Sequence, residues 1–199
     1  MLNGLNILRK RVQGTFYGWW IVLSSCILQA LCQGLLNQGF TVYFLPLQAE
    51  FGWSRALLSS GFSLSHVESG ILGPFEGLLT DRFGPRLVVI FGLVLLGAGF
   101  VLLSMVHSIV AYFAAFVVIS AGSSLSGFLP LQVAIVNWFV RKRSLALGIS
   151  MAGAGLAGVI VPVIAWSMIT YGWRTTALAS GLIIWLIGIP TALLLRHKP

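Results

Sequence analysis

Six apolar runs separated by short polar breaks make up almost the whole chain: residues 17–43, 55–79, 86–106, 109–140, 145–168 and 175–195. An α-helix rises 1.5 Å per residue, so about 20 apolar residues cross the roughly 30 Å hydrocarbon core of a bilayer. Each run meets that length. The pattern predicts an all-α membrane protein with six transmembrane helices in one bundle over 17–195, a segment 1–16 before it, and the start of a loop or a truncated end at 196–199. The breaks leave no room for a folded domain outside the bilayer.

Polar residues inside the runs are few and stand in register. Gln29, Gln33 and Asn37 recur at i, i+4 in the first run and form one amide stripe, with Gln38 and Thr41 continuing it. Amides at that depth do not face lipid; they either bond helices together or line a water-filled path. Three on one stripe exceed the need of a single interhelical contact, which favours the path. The fourth run carries Ser120, Ser123, Ser124, Ser126 and Gln132, interrupted by Gly122, Gly127 and Pro130. Proline bends a helix, and bending near polar residues suits a cavity wall; serines bonding back to their own helix give the plainer account. Gln29, Gln33, Asn37, Ser123 and Ser124 are the expected substrate-path residues.

The second run holds His66, Glu68 and Glu76. Glu68 lies about 20 Å along the helix from Arg55, past the middle of the membrane. A carboxylate there is protonated, paired or exposed to water, which makes it a candidate for proton or ion coupling. His66 shares a face with Ser59, Ser63, Gly70 and Gly73, so hydrogen-bonded packing is the plainer reading beside a coupling role. Glu76 precedes a charged turn and reads as a gate-side partner. The third and sixth runs are almost wholly apolar and read as lipid-facing scaffold. In the fifth, Gly153 with Ala157 and Ala154 with Gly158 let another backbone approach closely.

Composition agrees with a membrane protein: 58% hydrophobic and 8% charged residues, mean hydropathy +0.98. The net charge of +8 forms no continuous patch, which argues against nucleic acid as a partner. It marks topology. Arg9, Lys10, Arg11, Arg82, Arg86, Arg141, Lys142, Arg143, Arg196 and Lys198 fall on one side of a six-span layout and only Arg55 and Arg174 on the other, so both termini are expected to be cytoplasmic. Cys26 and Cys32 lie within the first run as small hydrophobes, with no metal-ligand spacing. No HExxH, GxSxG or His/Cys cluster occurs, so neither an enzyme nor a cofactor is expected.

Two breaks repeat a pattern, Phe51-Gly52-Trp53-Ser54-Arg55 and Tyr171-Gly172-Trp173-Arg174-Thr175. Both predict aromatic anchors at the headgroup level, with Ser54 or Thr175 capping the next helix. Trp19, Trp20 and Trp138 are anchors for the opposite side. The turn from Gly77 to Arg86 carries Asp81, the chain's one aspartate. Here Gly77 is expected to let the helix end approach a neighbour, Gly84 to free the backbone and Pro85 to start the next helix, with Asp81 at a helix N-terminus. Asp81, Arg82 and Arg86, with Arg141 and Arg143 as partners, predict a cytoplasmic gate.

The Gly77-to-Arg86 turn resembles the cytoplasmic motif between the second and third helices of the major facilitator superfamily, with glycine, aspartate, arginine, glycine and a later basic residue in register. Pro85 and Leu87 stand where many members carry further basic residues. Gly18-Trp19-Trp20, Glu50 to Arg55, and Asn137-Trp138-Phe139 through Arg143 to Ala146, Gly148 and Gly153 resemble the monocarboxylate and oxalate/formate porter branch. The resemblance implies half of a two-bundle architecture, built as a 3+3 inverted repeat. Its first and fourth helices would face a central cavity, its second and fifth the partner bundle, its third and sixth lipid. It also implies secondary transport of a small organic anion such as a monocarboxylate in the plasma membrane, with a proton or counter-anion. The partner would be a second six-helix bundle, from a missing half or a second copy. A non-transporting interaction subunit, a truncated remnant, and a sugar or drug substrate are the alternatives.

Overall fold

The computed structural model describes residues 17–139 and 141–195, except for the side chains of His66 and Ser69. Among the described residues all regular structure is helical. The first span is α1 (Gly18–Cys32), a π-helical segment (Gln33–Gln38) and α2 (Phe40–Phe51) in line, continuing past Tyr43. Next come α3 (Arg55–Phe83), α4 (Pro85–Ser104), and α5 (Ile109–Ser126) with α6 (Phe128–Trp138) beyond a break at Gly127. Then follow α7 (Arg143–Tyr171), α8 (Trp173–Ile183), a second π-helical segment (Ile184–Gly188) and α9 (Ile189–Leu193).

Five of these helical stretches are long and apolar enough to cross a membrane: 18–51, 85–104, 109–138, 143–171 and 173–193. The stretch 55–83 has the length but not the apolarity, because it carries Glu68, Glu76 and a series of serines. An amphipathic helix of that kind needs polar surroundings along one side.

Three helix contacts set the frame, and each rests on small residues. α4 packs along α5, where a Cβ on Gly92 would collide with the Ser126 amide and one on Gly122 with the Leu96 amide. α1 packs along α7, where a Cβ on Gly153 would collide with the Cys26 carbonyl oxygen. Backbones approach this closely only where a side chain is absent. α4 also packs on α8, and the Trp185 indole beyond it fills the space beside Gly97 and donates to the Val94 carbonyl at 3.3 Å.

A chain of aromatic rings runs from the middle of the bundle to its Glu50 end. Phe40 meets Phe116 with centroids 4.5 Å apart, Phe116 meets Tyr112 at 5.1 Å, and Tyr112 meets Trp53 at 5.6 Å. The Tyr112 hydroxyl, buried at this junction, donates to the Leu58 carbonyl at 2.9 Å. At the opposite end Tyr17 packs on Trp138 and Trp19 on Phe139, so these rings join the first span to the end of α6.

The repeated aromatic turns differ in how their helices begin. Gly52 (φ 67°) and Gly172 (φ 82°) each end a helix in backbone that other residues rarely adopt. Ser54 caps α3, accepting from the Leu57 amide at 3.2 Å. Thr175 does not cap α8: the helix starts at Trp173, and the Thr175 hydroxyl donates to the Tyr171 and Gly172 carbonyls of the preceding turn.

Candidate functional site

The first span, α3, and the α5–α6 pair border an open-sided cavity of about 330 Å³. Gln29, Gln33 and Asn37 line it from the first span, and Ser123 and Ser124 from the fourth. The five amide and hydroxyl residues of the expected path thus border one space. Both spans are interrupted where they border it. The first passes into π geometry at Gln33–Gln38, with Gly39 donating to the Gly34 carbonyl at 2.8 Å, and the fourth breaks at Gly127. An added residue per turn reorients the side chains beyond it, and the Asn37 amide nitrogen donates to the Gln33 side-chain oxygen at 2.5 Å. Interrupted helices leave backbone groups that a polar space satisfies.

The carboxylate on this wall is Glu76, which the sequence assigned to the gate side. Its side chain points from α3 into the cavity, where Ser124 Oγ donates to Glu76 Oε2 at 3.1 Å. Glu76 is 5% exposed, and its Oε1 is buried without a hydrogen-bond partner among the described residues. The same holds for Nε2 of Gln29, which is 3% exposed and borders the same space. Ser65 and Ser120 add oxygens, Ser120 Oγ donating to the Ser65 carbonyl at 3.3 Å. No lysine, arginine or histidine lines the cavity among the described residues. The sequence signal for Glu76 was its position three residues after Gly73, on a helix whose rotation relative to the cavity only the packing reveals.

Glu68 stands elsewhere on α3, half-buried and not itself among the lining residues, but its side chain meets Ser120 of the cavity wall, with Oε2 buried and unpaired among the described residues. His66 lies on the same helix, and its side chain is outside the described residues. Gln38 turns from the cavity toward α7, where its side-chain oxygen faces Gly158.

The charged turn is arranged differently from its sequence reading. Asp81 and Arg82 occupy the last turn of α3, so Asp81 is at the C-terminal end of its own helix and exposed. A carboxylate there has no support from that helix's own dipole. Gly84 adopts φ 82° and Pro85 opens α4, with Arg86 exposed beside it. The side of Gly77 where a Cβ would stand is open, with no neighbour within 4 Å. Among the described residues no ion pair joins Asp81 to Arg141 or Arg143; Arg143 Nε instead donates to the Phe139 carbonyl at 2.6 Å, and Arg141 is exposed.

A second polar cluster lies at the Glu50 end. Glu50 Oε1 accepts from Arg174 Nη2 at 2.7 Å and Oε2 accepts from the Trp173 indole at 2.6 Å. Arg174 Nη1 donates to the Ser104 carbonyl at 3.2 Å, and the guanidinium lies 4.6 Å above the Trp173 ring. One carboxylate and one guanidinium thereby fasten three inter-helix turns together. The opposing charges are not legible as partners from a sequence separation of 124 residues.

The chain is 30% identical to the oxalate:formate antiporter of Oxalobacter formigenes over 180 residues, which cover 89% of this chain and 42% of that protein. It is 30% identical over 159 residues to monocarboxylate transporter 13 of Bos taurus, covering 79% of this chain and 37% of the relative. It is also 30% identical over 165 residues to the riboflavin transporter RibJ of Trypanosoma cruzi, covering 80% of this chain and 34% of the relative. The chain therefore spans less than half the length of these relatives. The family model for the Major Facilitator Superfamily matches residues 11–199. With apolar membrane-crossing helices around a polar cavity and a family match over nearly its whole length, this chain is an integral, multi-pass membrane protein that belongs to the Major Facilitator Superfamily.

Proposed function

We propose that this bundle is the amino-terminal half of a secondary active transporter that carries a small organic anion, such as a monocarboxylate, by alternating access. The observation that carries the reading is the polar cavity itself: amides and hydroxyls gathered from two otherwise apolar spans, facing the more polar α3. Two of the relatives are named for carboxylate transport, which supports the substrate class. In this reading residues 17–195 form the six-span bundle, residues 1–16 and 196–199 are cytoplasmic, and the membrane is the plasma membrane. A second six-helix bundle, from the same polypeptide or a second chain, closes the cavity. Support for that partner comes from the apolar side chains exposed along α3 (Val67, Ile71, Phe75) and α7 (Leu156, Val159, Val163). Asp81 and Arg82 hold the gate against that second bundle, since neither has an ion pair within this one among the described residues.

The test is uptake of radiolabelled formate, lactate and oxalate into proteoliposomes holding the protein expressed at its native length. Saturable uptake of at least one of them is the expected result, with Asp81→Asn lowering it while the protein stays folded in detergent. Absence of flux for every carboxylate would refute the substrate class, and unchanged flux in Asp81→Asn would refute the gate.

A further inference from the structure

Resting on that transport reading, we infer that Glu76 is a specificity-determining residue of the cavity: its carboxyl reads a hydroxyl on the ligand, so a 2-hydroxy carboxylate is preferred over the keto and unsubstituted acids of similar size.

Two buried polar atoms of residues bordering the cavity have no hydrogen-bond partner among the described residues, Glu76 Oε1 and Gln29 Nε2. They sit at one level of the bundle. Ser124 and Ser126 lie two residues apart on α5; Ser124 Oγ donates to Glu76 Oε2 at 3.1 Å, and Ser126 Oγ is 3.7 Å from the Cys32 sulfur. Gln29 stands one helical turn from Cys32 on the same face of α1. Glu76 and Gln29 are 5% and 3% exposed within this bundle alone, so their burial does not depend on what covers the open side of the cavity.

The two atoms ask for different partners. An amide nitrogen only donates, so Gln29 Nε2 takes a carboxylate oxygen of the ligand. A carboxyl group accepts when ionised; when protonated it donates and keeps some acceptor capacity. A ligand hydroxyl both donates and accepts, and therefore satisfies Glu76 in either state. A keto oxygen is served only by the protonated state, and a methylene group by neither. Ser124 already holds Oε2, which leaves Oε1 for the ligand. Discrimination arises because a buried polar atom left unmatched is costly: a site that bonds a hydroxyl rejects the analogue lacking it more strongly than it senses a small change of size. A carboxylate and a hydroxyl on adjacent carbons present an acceptor and a donor side by side, the pair that Gln29 and Glu76 require.

Initial rates of uptake at low concentration test the inference, with radiolabelled lactate, pyruvate and propionate compared in proteoliposomes holding the protein expressed at its native length. For the unaltered protein, pyruvate and propionate are each expected to enter about tenfold more slowly than lactate, equivalent to about 1.4 kcal/mol. Glu76→Gln keeps the size and an oxygen for Ser124 but sets an amide nitrogen, a donor, in place of Oε1. In that variant pyruvate is expected to match lactate while propionate stays slow. In Glu76→Leu propionate is expected to equal or exceed lactate. A purely structural role for Glu76 would lower all three rates together and leave their ranking unchanged, and monodispersity in detergent checks folding. The ranking in the unaltered protein needs no variant. Pyruvate or propionate entering as fast as lactate in the unaltered protein, or a ranking that persists in both variants, would overturn the role of Glu76 and leave transport standing. Flux of none of the three acids would overturn the transport reading, and this inference with it.

Discussion

At the scale of single residues, identical glycines do opposite work within one helix. Gly153 on α7 is buried against the Cys26 carbonyl, while Gly155, two residues on, has open space where a Cβ would stand. Gly153→Ala forces α1 and α7 apart and costs about 1–3 kcal/mol, the usual penalty for overpacking a closed contact. Gly155→Ala meets nothing and gains up to about 1 kcal/mol from the helix preference of alanine. Thermal unfolding of the two variants in detergent decides the matter; equal melting temperatures would mean that α1 and α7 do not touch at Gly153. Glycine composition therefore says little until the neighbour of each glycine is known.

At the scale of elements, the decisive features are the interruptions. The first span stays apolar and helical over 34 residues, yet it changes to π geometry at the stretch that carries Gln33 and Asn37. That segment brings the Asn37 amide onto the Gln33 side chain. Asn37→Leu removes one side-chain hydrogen bond within the first span, expected to be worth no more than the roughly 0.6 kcal/mol typical of polar contacts in a membrane setting, so stability changes little. Carboxylate flux is expected to fall far more, by about tenfold, because the cavity loses a polar wall element worth roughly 1.4 kcal/mol in binding. Parallel melting and uptake measurements separate the two effects; a stability loss with undiminished flux would assign Asn37 to the scaffold. The break at Gly127 on the fourth span opposes this segment across the same cavity.

At the scale of the whole molecule, the bundle is held differently at its two ends. At the Glu50 end, the Glu50 carboxylate, the Trp173 indole and the Arg174 guanidinium join three turns, and at the other Tyr17 donates to the Leu194 carbonyl at 2.8 Å. The Glu50–Arg174 pair is half-exposed, so a double-mutant cycle with Glu50→Gln and Arg174→Gln should return a coupling of about 1 kcal/mol or less. Raised salt should weaken it further. A coupling that is larger and insensitive to salt would mean that the pair is shielded from water. Fastening at this end fits the proposed rocking of this bundle as one body against a second.

The amino-acid sequence by itself determined that this protein lies in a membrane and that its first and fourth spans carry polar residues in register. Both properties are local: apolar length is counted along the chain, and the i, i+4 recurrence of Gln29, Gln33 and Asn37 follows from helical period alone. Tertiary structure alone decided that Glu76 borders the same cavity as those residues. Glu68 and Glu76 sit on the same helix with the same chemistry, and only the rotation of α3 against α5 turns Glu76 toward Ser124, 48 residues away. It also decided that Thr175 sits inside a helix rather than capping it, and that the Cβ side of Gly77 faces open space. The physical reason is common to all three. Side-chain direction depends on how helices abut, and that is settled by packing between residues far apart in the chain, which no local period records.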